Sequence, residues 1–509
     1  MTHLSEVAGP EALIAFGAVF IISVGIVWVA ARRTNTAADY FVAGGRIGAW
    51  ANALALAGDF VAAGGFLSLT GLIALHGADG MVFAIGVIFG WPLMLFLFAE
   101  PLRALGKFTL ADVLVTRLGD PRLRGVAALN QLVIIVTSLT AQFVGASALL
   151  QLLFGTSGQG SLLVIGLVTA GYVLVGGMLA TTWLQIVKAT LMMLIAGAVL
   201  VAALSHVGFN PLSVFTAAVS RGGPSVLIPG SLFDSPWDIP SLLFGLALGG
   251  ASMPHVLMRM NTATSPRVAR RGVFLGTGII VLFHLIVLLL GFMAMVLVGG
   301  DDIRAADVGG NMALPLLAHI VGGPVLLGVV GAVALSTILA VTAGLGIAGA
   351  AALSHDLLMP ALAGWAASPR LELLIGRASS VILIIVALGL AAIFRGQNLA
   401  FLSALAGALA ASANFPVLVL AIFYKRFTAV GAIAGMLCGT LASIVLIIAS
   451  PLVQISVLGH SAAPFPLRNP GIVTIPIAFL IAIGVSLATK NKVSVSDSTR
   501  AGALSKNSR

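Results

Sequence analysis

The chain has 509 residues, 60% of them hydrophobic and only 8% charged, with 60 glycines, a mean hydropathy of +1.14 and a formal net charge of +10. No water-soluble domain needs that much apolar surface, so the composition excludes a soluble globular protein and selects a polytopic membrane protein. The positive balance suits contact with anionic lipid and requires no nucleic acid.

In chain order, apolar runs of about 20 residues, each able to cross a hydrocarbon core of about 30 Å as a helix, are predicted near 12–31, 48–75, 80–99, 125–154, 161–181, 183–206, 241–258, 272–299, 311–353, 373–395, 398–424, 428–450 and 471–489. The first follows Glu6 and Glu11 with no Lys or Arg before it and lacks a small-residue cleavage site, which marks a retained span and not a signal peptide. The ninth window is too long for one straight span and is expected to include a helical lead-in around 311–325 outside the membrane. Residues 1–489 are expected to form a single polytopic domain, and 490–509 a basic tail read as disordered. The lone cysteine, Cys438, excludes an internal disulfide and a cysteine-built metal site.

Connections between spans should alternate between a side rich in Lys and Arg and a side poor in them. One side collects 22 of the 26 basic residues, Lys188 and Arg259 among them, and the other has only Arg221, Arg304, Arg395 and Arg468. That register puts the N-terminus outside and the C-terminus in the cytoplasm.

Of the 16 acids, 15 fall in loops, tails or span ends, and Asp59 alone lies deep in a span. An unpaired Asp at the bilayer centre costs roughly 2.5–3.5 kcal/mol on insertion scales, so it should face a wet cavity, a cation or a donor. Interhelical glue is one reading. Cation binding is the better one, because Ala57, Gly58, Ala62, Ala63, Gly64 and Gly65 allow the helix to unwind and free carbonyls for Na⁺. A second interrupted stretch, SLLFGLALGGASMPHVLMR over 241–259, carries Gly245, Gly249, Gly250 and Pro254. Interrupted helices at the second and seventh spans are what an inverted five-helix repeat gives, and they point to a transporter's midplane site.

Polar residues elsewhere extend the candidate set. Gln142 in the fourth span either lines the path or ties helices together. Ser336 and Thr337 in the ninth either offer hydroxyl oxygens to a cation or bond back to carbonyls one turn earlier. His284 reads as a packing histidine, and Lys188 as a side chain that snorkels to the cytoplasmic interface. No phosphate loop, HExxH or paired haem-ligand histidines occur, which argues against an ATP-driven pump, a redox subunit or an enzyme, and no cofactor is expected.

The stretches DYFVAGGRIGAWANALALAGDFVAAGGFLSLTGLIALHGADG (39–80), AEPLRALGKFTLADVL (99–114), GYVLVGGMLATTWLQIVKA (171–189), MPHVLMRM (253–260), STILAVTAGLGIAGAAALSHDLL (336–358) and ASANFPVLVLAIFYKRFTAVGAIAGM (411–436) make the chain resemble the sodium:solute symporter family. Within it, the resemblance is to the cation/acetate symporter branch of monocarboxylate permeases. It implies an all-α membrane protein with a LeuT-type core of two inverted five-helix repeats, spans 2–6 and 7–11 (about 48–206 and 241–424), flanked by one helix before and two after. It also implies, in a bacterial cytoplasmic membrane, uptake of a short monocarboxylate such as acetate, propionate or pyruvate coupled to Na⁺ or H⁺ by alternating access.

Carried over by position, Asp59 lies beside the sodium site, Ala57, Phe60 and Val333 offer carbonyls, and Ser336 and Thr337 supply the hydroxyl pair. The spacing from Ser336 to Asp356 is about a turn longer than in proline or sugar members, which shifts the register toward Ala340 and Val341 and makes Thr342 a fallback ligand. Leu184 stands where many members carry Asp before the signature Gln185. The substrate anion is expected beside Gly58, Gly249 and Gly250 with Gln142 as a wall, held by backbone N–H groups and the co-bound cation, since no Lys or Arg is expected at midplane. The rival expectations are a symporter for proline or urea, a sensor domain, against which the short tail argues, and a passive channel.

Overall fold

The computed structural model describes residues 9–31, 47–61, 64–105, 109–175, 178–230, 232–233, 235–359 and 369–489. Ala62, Ala63 and the 490–509 tail lie outside the described residues. The long helices in order are Pro10–Ala31, Ala49–Phe60 with Gly64–His76, Ala78–Leu105, Arg122–Phe154, Gly158–Val175, Met178–Leu204, Asp238–Met260, Pro266–Leu297, Ala313–Leu358, Pro369–Ile393, Leu399–Phe423, Ala429–Ala449 and Gly471–Ala488; among the described residues ten are long and apolar enough to cross a membrane, eleven with the bent pair of the second, while Pro10–Ile22 and Gly158–Leu174 are shorter apolar stretches. They are called the first to thirteenth spans below. Each predicted window finds its helix, because a long apolar run has no alternative in hydrocarbon: every backbone donor and acceptor must be satisfied within the segment.

Three spans are irregular, each for a local reason. The second stops at Phe60 and resumes at Gly64 as a wide π turn that runs into Thr70–His76. The seventh stops at Gly250, passes through an extended Met253, and restarts at Pro254, which occupies a first-turn position where its missing N–H is not needed. The ninth is kinked at Gly323, whose φ of 67° and ψ of −166° only glycine adopts readily, and Pro324 follows. Ala313–Gly322 is thus the expected lead-in, set off from the long segment that follows.

Spans seven and eleven pack backbone to backbone, since a Cβ on Gly249 would collide with the carbonyl of Gly407. Each broken span is also tied down by an asparagine. The Asn398 side chain donates to the carbonyl of Ser68 (3.3 Å), and the Ser68 hydroxyl donates to Asn311 (2.7 Å). At the other break Asn414 donates to the carbonyl of Ser252 (2.9 Å) and accepts from Asn130 (2.5 Å), which in turn accepts from the Thr440 hydroxyl (2.8 Å). These pairs satisfy carbonyls and amides that would otherwise be stranded in the interior. In the connection ahead of the ninth span, Asp307 accepts from Asn311 at 2.7 and 2.8 Å; burial pushes its carboxyl above the usual range, opposed by these donors.

On the side where the basic residues gather, a parallel bridge joins Ile47 to Ala263, with Ile47 N–H donating to Thr262 (3.0 Å) and Thr264 N–H to Ile47 (3.3 Å). The bases of the two broken spans are therefore clipped together.

Candidate ion and solute site

Asp59 is buried on the last turn before the break of the second span, but it is not alone. Arg259 pairs with it through Nε and, at 3.0 Å, through Nη2, and the Gln185 amide donates to the same carboxylate at 2.6 Å. The guanidinium also reaches the Thr182 hydroxyl at 3.3 Å. Arg259 is 2% exposed. A fork of donors on a carboxylate is the geometry that makes Arg–Asp pairs strong and directional.

Two expectations are corrected here. Arg259 lies on a helix and not in a loop, and the interior of the bundle is not free of basic side chains. The physical reason is the break at 251–253: the helix that carries Arg259 starts afresh at Pro254, and side chains on a helix lean toward its N-terminus, so Arg259 aims back into the bundle. Asp59 is accordingly one half of an ion pair that joins the two broken spans.

Lys188 is the second correction to the charge map. It does not snorkel: it is 2% exposed, and its ammonium donates to the carbonyl of Thr337 on the ninth span at 3.4 Å. The sixth span begins at Met178, several residues before the expected 183, so Lys188 lies about 15 Å along the helix at 1.5 Å per residue, too deep for its stem to reach the surface. One turn before it on the same helix face, Gln185 holds Asp59. The sixth span thus stands between the second and the ninth, touching one through Gln185 and the other through Lys188.

The remaining expected residues fall as follows. The carbonyl of Ala57 accepts from Val61 N–H at 2.6 Å. The Phe60 ring packs edge-on against Trp91, with centroids 4.8 Å apart, and lies beside Gly250. Val333 and Ser336 line a small cavity together with Val19, Leu184 and Lys188, on the side of the ninth span that faces the first and sixth. Thr337 keeps a buried hydroxyl without a hydrogen-bond partner among the described residues, so it does not bond back one turn. Thr342 does the opposite: its hydroxyl donates to Leu339 at 3.0 Å and is already committed. No described hydrogen bond joins the ninth span directly to Ala57, Asp59 or Phe60. Gly58 packs against Gln185, Gly249 against Gly407, and Gln142 is buried with its side-chain oxygen unpartnered. His284 bonds the carbonyl of Ile280 at 2.8 Å, as a packing histidine does.

Sequence reasoning missed Arg259 and Lys188 as interior groups. A signal existed for the first, since Arg259 stands five residues after the Pro254 that restarts the helix, and none of its neighbours from Val256 to Met260 is another charge.

The family model described as "Sodium:solute symporter family" matches residues 40–439. A Na⁺-coupled sialic acid symporter, solved substrate-bound and outward-open, superposes with a TM-score of 0.78 at 17% identity, over 96% of this chain and 100% of that one. Mhp1, a nucleobase-cation-symport-1 family transporter solved closed with bromovinylhydantoin bound, superposes with a TM-score of 0.54 at 12% identity, over 92% and 99% of the two chains. These likenesses show the fold, a LeuT-type all-helical bundle.

Proposed function

The chain belongs to the sodium:solute symporter family, a multi-pass, cation-coupled transporter and not an enzyme, and from that premise we propose that its solute is a short monocarboxylate such as acetate, propionate or pyruvate. The cation is Na⁺ or H⁺, and the chain sits in a bacterial cytoplasmic membrane with its basic side inward. The observation that carries the reading is Arg259, a guanidinium buried beside the break of the seventh span and held by a carboxylate from the other broken span. The pair leaves no uncompensated charge between the two breaks, so a solute anion there is met by the backbone N–H groups that the interrupted turns free.

The rest of the setting favours a small solute. Phe60 packs edge-on against Trp91 and beside Gly250, which puts an aromatic and glycine contact at the breaks. A solute with one charged end and a methyl or ethyl tail needs no more than a few donors and an apolar wall. Alternating access would then open the clipped bases of the second and seventh spans on one side and the packed seventh and eleventh spans on the other.

The test is uptake of labelled acetate into liposomes holding the purified protein, with propionate, pyruvate, proline and urea as competitors. Propionate and pyruvate are expected to compete and proline and urea to leave uptake unchanged; proline outcompeting acetate would overturn the reading.

A further inference from the structure

Lys188 takes no part in the Asp59–Arg259 pair or in the clip at the bases of the broken spans. Its ammonium is buried, its described hydrogen bond goes to a backbone carbonyl, and the nearest carboxylate, Asp59, is already occupied by Arg259 and Gln185. The charged and titratable groups within electrostatic reach of it are Asp59 on the second span and Arg259 and His255 on the seventh. The Thr337 carbonyl it uses belongs to the turn of the ninth span that carries Ser336 and the unpartnered Thr337 hydroxyl, and Ser336 shares a cavity wall with Lys188.

We propose that the Lys188 ammonium is a tethered cation that stands in the position of the co-transported ion against the ninth span and competes with it, so that this one residue sets the ion affinity. The inference rests on the cation-coupled reading of this site and names its regulator. The physics is a charge balance. With the Lys188 amine protonated, Asp59, Arg259 and Lys188 together carry one net positive charge in a medium that screens poorly. A Na⁺ entering the same few ångströms would raise that to two unless the ammonium moves away. The four-carbon stem of lysine is flexible and its head is a compact point charge, which suits a group that yields its place to an ion and returns. Removing the charge leaves the cluster neutral beside the unpartnered Thr337 hydroxyl and the outward lone pair of its carbonyl, oxygens that a monovalent cation can use.

The experiment compares the full-length wild type with Lys188→Gln and Lys188→Met in detergent. Melting temperature is titrated with NaCl against choline chloride at constant ionic strength. A ligand that binds only the folded state raises the melting temperature according to its affinity. The expected result is a Na⁺-specific rise in both variants at concentrations at least tenfold lower than in the wild type. Lys188→Gln keeps a donor for the Thr337 carbonyl and serves where Lys188→Met does not fold. An equal or weaker Na⁺ response in the folded variant, or a wild type that already responds to Na⁺ at the variant's low concentrations, overturns the proposal. This readout contains no solute, so an error in the monocarboxylate reading leaves it intact. Acetate uptake by the wild type then separates the two: a wild type that takes up no acetate, with Na⁺ stabilisation gained in the variants, faults the solute assignment alone.

Discussion

At the scale of single residues, the Asp59–Arg259 pair dominates the interior. Taking one partner away leaves an uncompensated buried charge, which costs about 3–5 kcal/mol, whereas neutralising both can be close to neutral. Asp59→Asn and Arg259→Gln are therefore each expected to lower the melting temperature strongly, and the double variant to recover most of that loss. A double-mutant cycle of thermal stability reads this directly; independent, additive losses would mean that the pair does not exist. Uptake should fall at least tenfold in Asp59→Asn, because Arg259 loses its partner and the carboxylate beside the break is gone. Thr342→Val offers a contrast, since its hydroxyl only bonds back to Leu339. It should leave cation dependence unchanged, while Thr337→Val should alter it.

At the scale of elements, the breaks of the second and seventh spans are held by asparagines that arrive from the eleventh span and its N-terminal end. Asn414→Ala would strand the carbonyl of Ser252 and the amide of Asn130, at about 1–3 kcal/mol for a buried unsatisfied group. Faster hydrogen exchange around residues 251–254 is the expected sign, and unchanged exchange there would show that the break holds without the asparagine. On the basic side, Arg124 bridges Asp112 (2.9 Å) and Asp356 (2.6 Å), with His355 against the same carboxylate at 2.9 Å. Asp112, His355 and Asp356 lie as close together as metal ligands do, yet the guanidinium already supplies the positive charge among them. Arg124→Gln should loosen both Leu110–Leu118 and the π-helical end Ala351–Leu358 of the ninth span. Protease sensitivity of those segments checks it; a variant as resistant as the wild type would mean that the clamp is not what holds them.

At the scale of the whole molecule, the order of helices was legible from apolar runs alone, because length and hydropathy decide what can cross a bilayer. The two breaks were legible too, from glycines near Asp59 and from Gly249, Gly250 and Pro254, residues whose backbone effects are local. What sequence could not show was where Arg259 and Lys188 point. Both sit near the ends of apolar windows, and depth within the bundle depends on where each half-helix starts and on which neighbour it meets. The expected cation ligands show the same limit: Ser336 and Thr337 lie on the ninth span and Asp59 on the second, and the sixth span with its lysine comes between them, which no spacing in the sequence states.

The central claim is that this bundle drives accumulation of a small anion by a cation gradient. It is tested most directly in sealed liposomes loaded without solute, with labelled acetate outside and an inward Na⁺ gradient, an inward H⁺ gradient, or neither imposed. Accumulation above that of protein-free liposomes under one of the two gradients, collapsing when an ionophore dissipates it, is the predicted result; acetate that enters no further than in protein-free liposomes under all three conditions would contradict it.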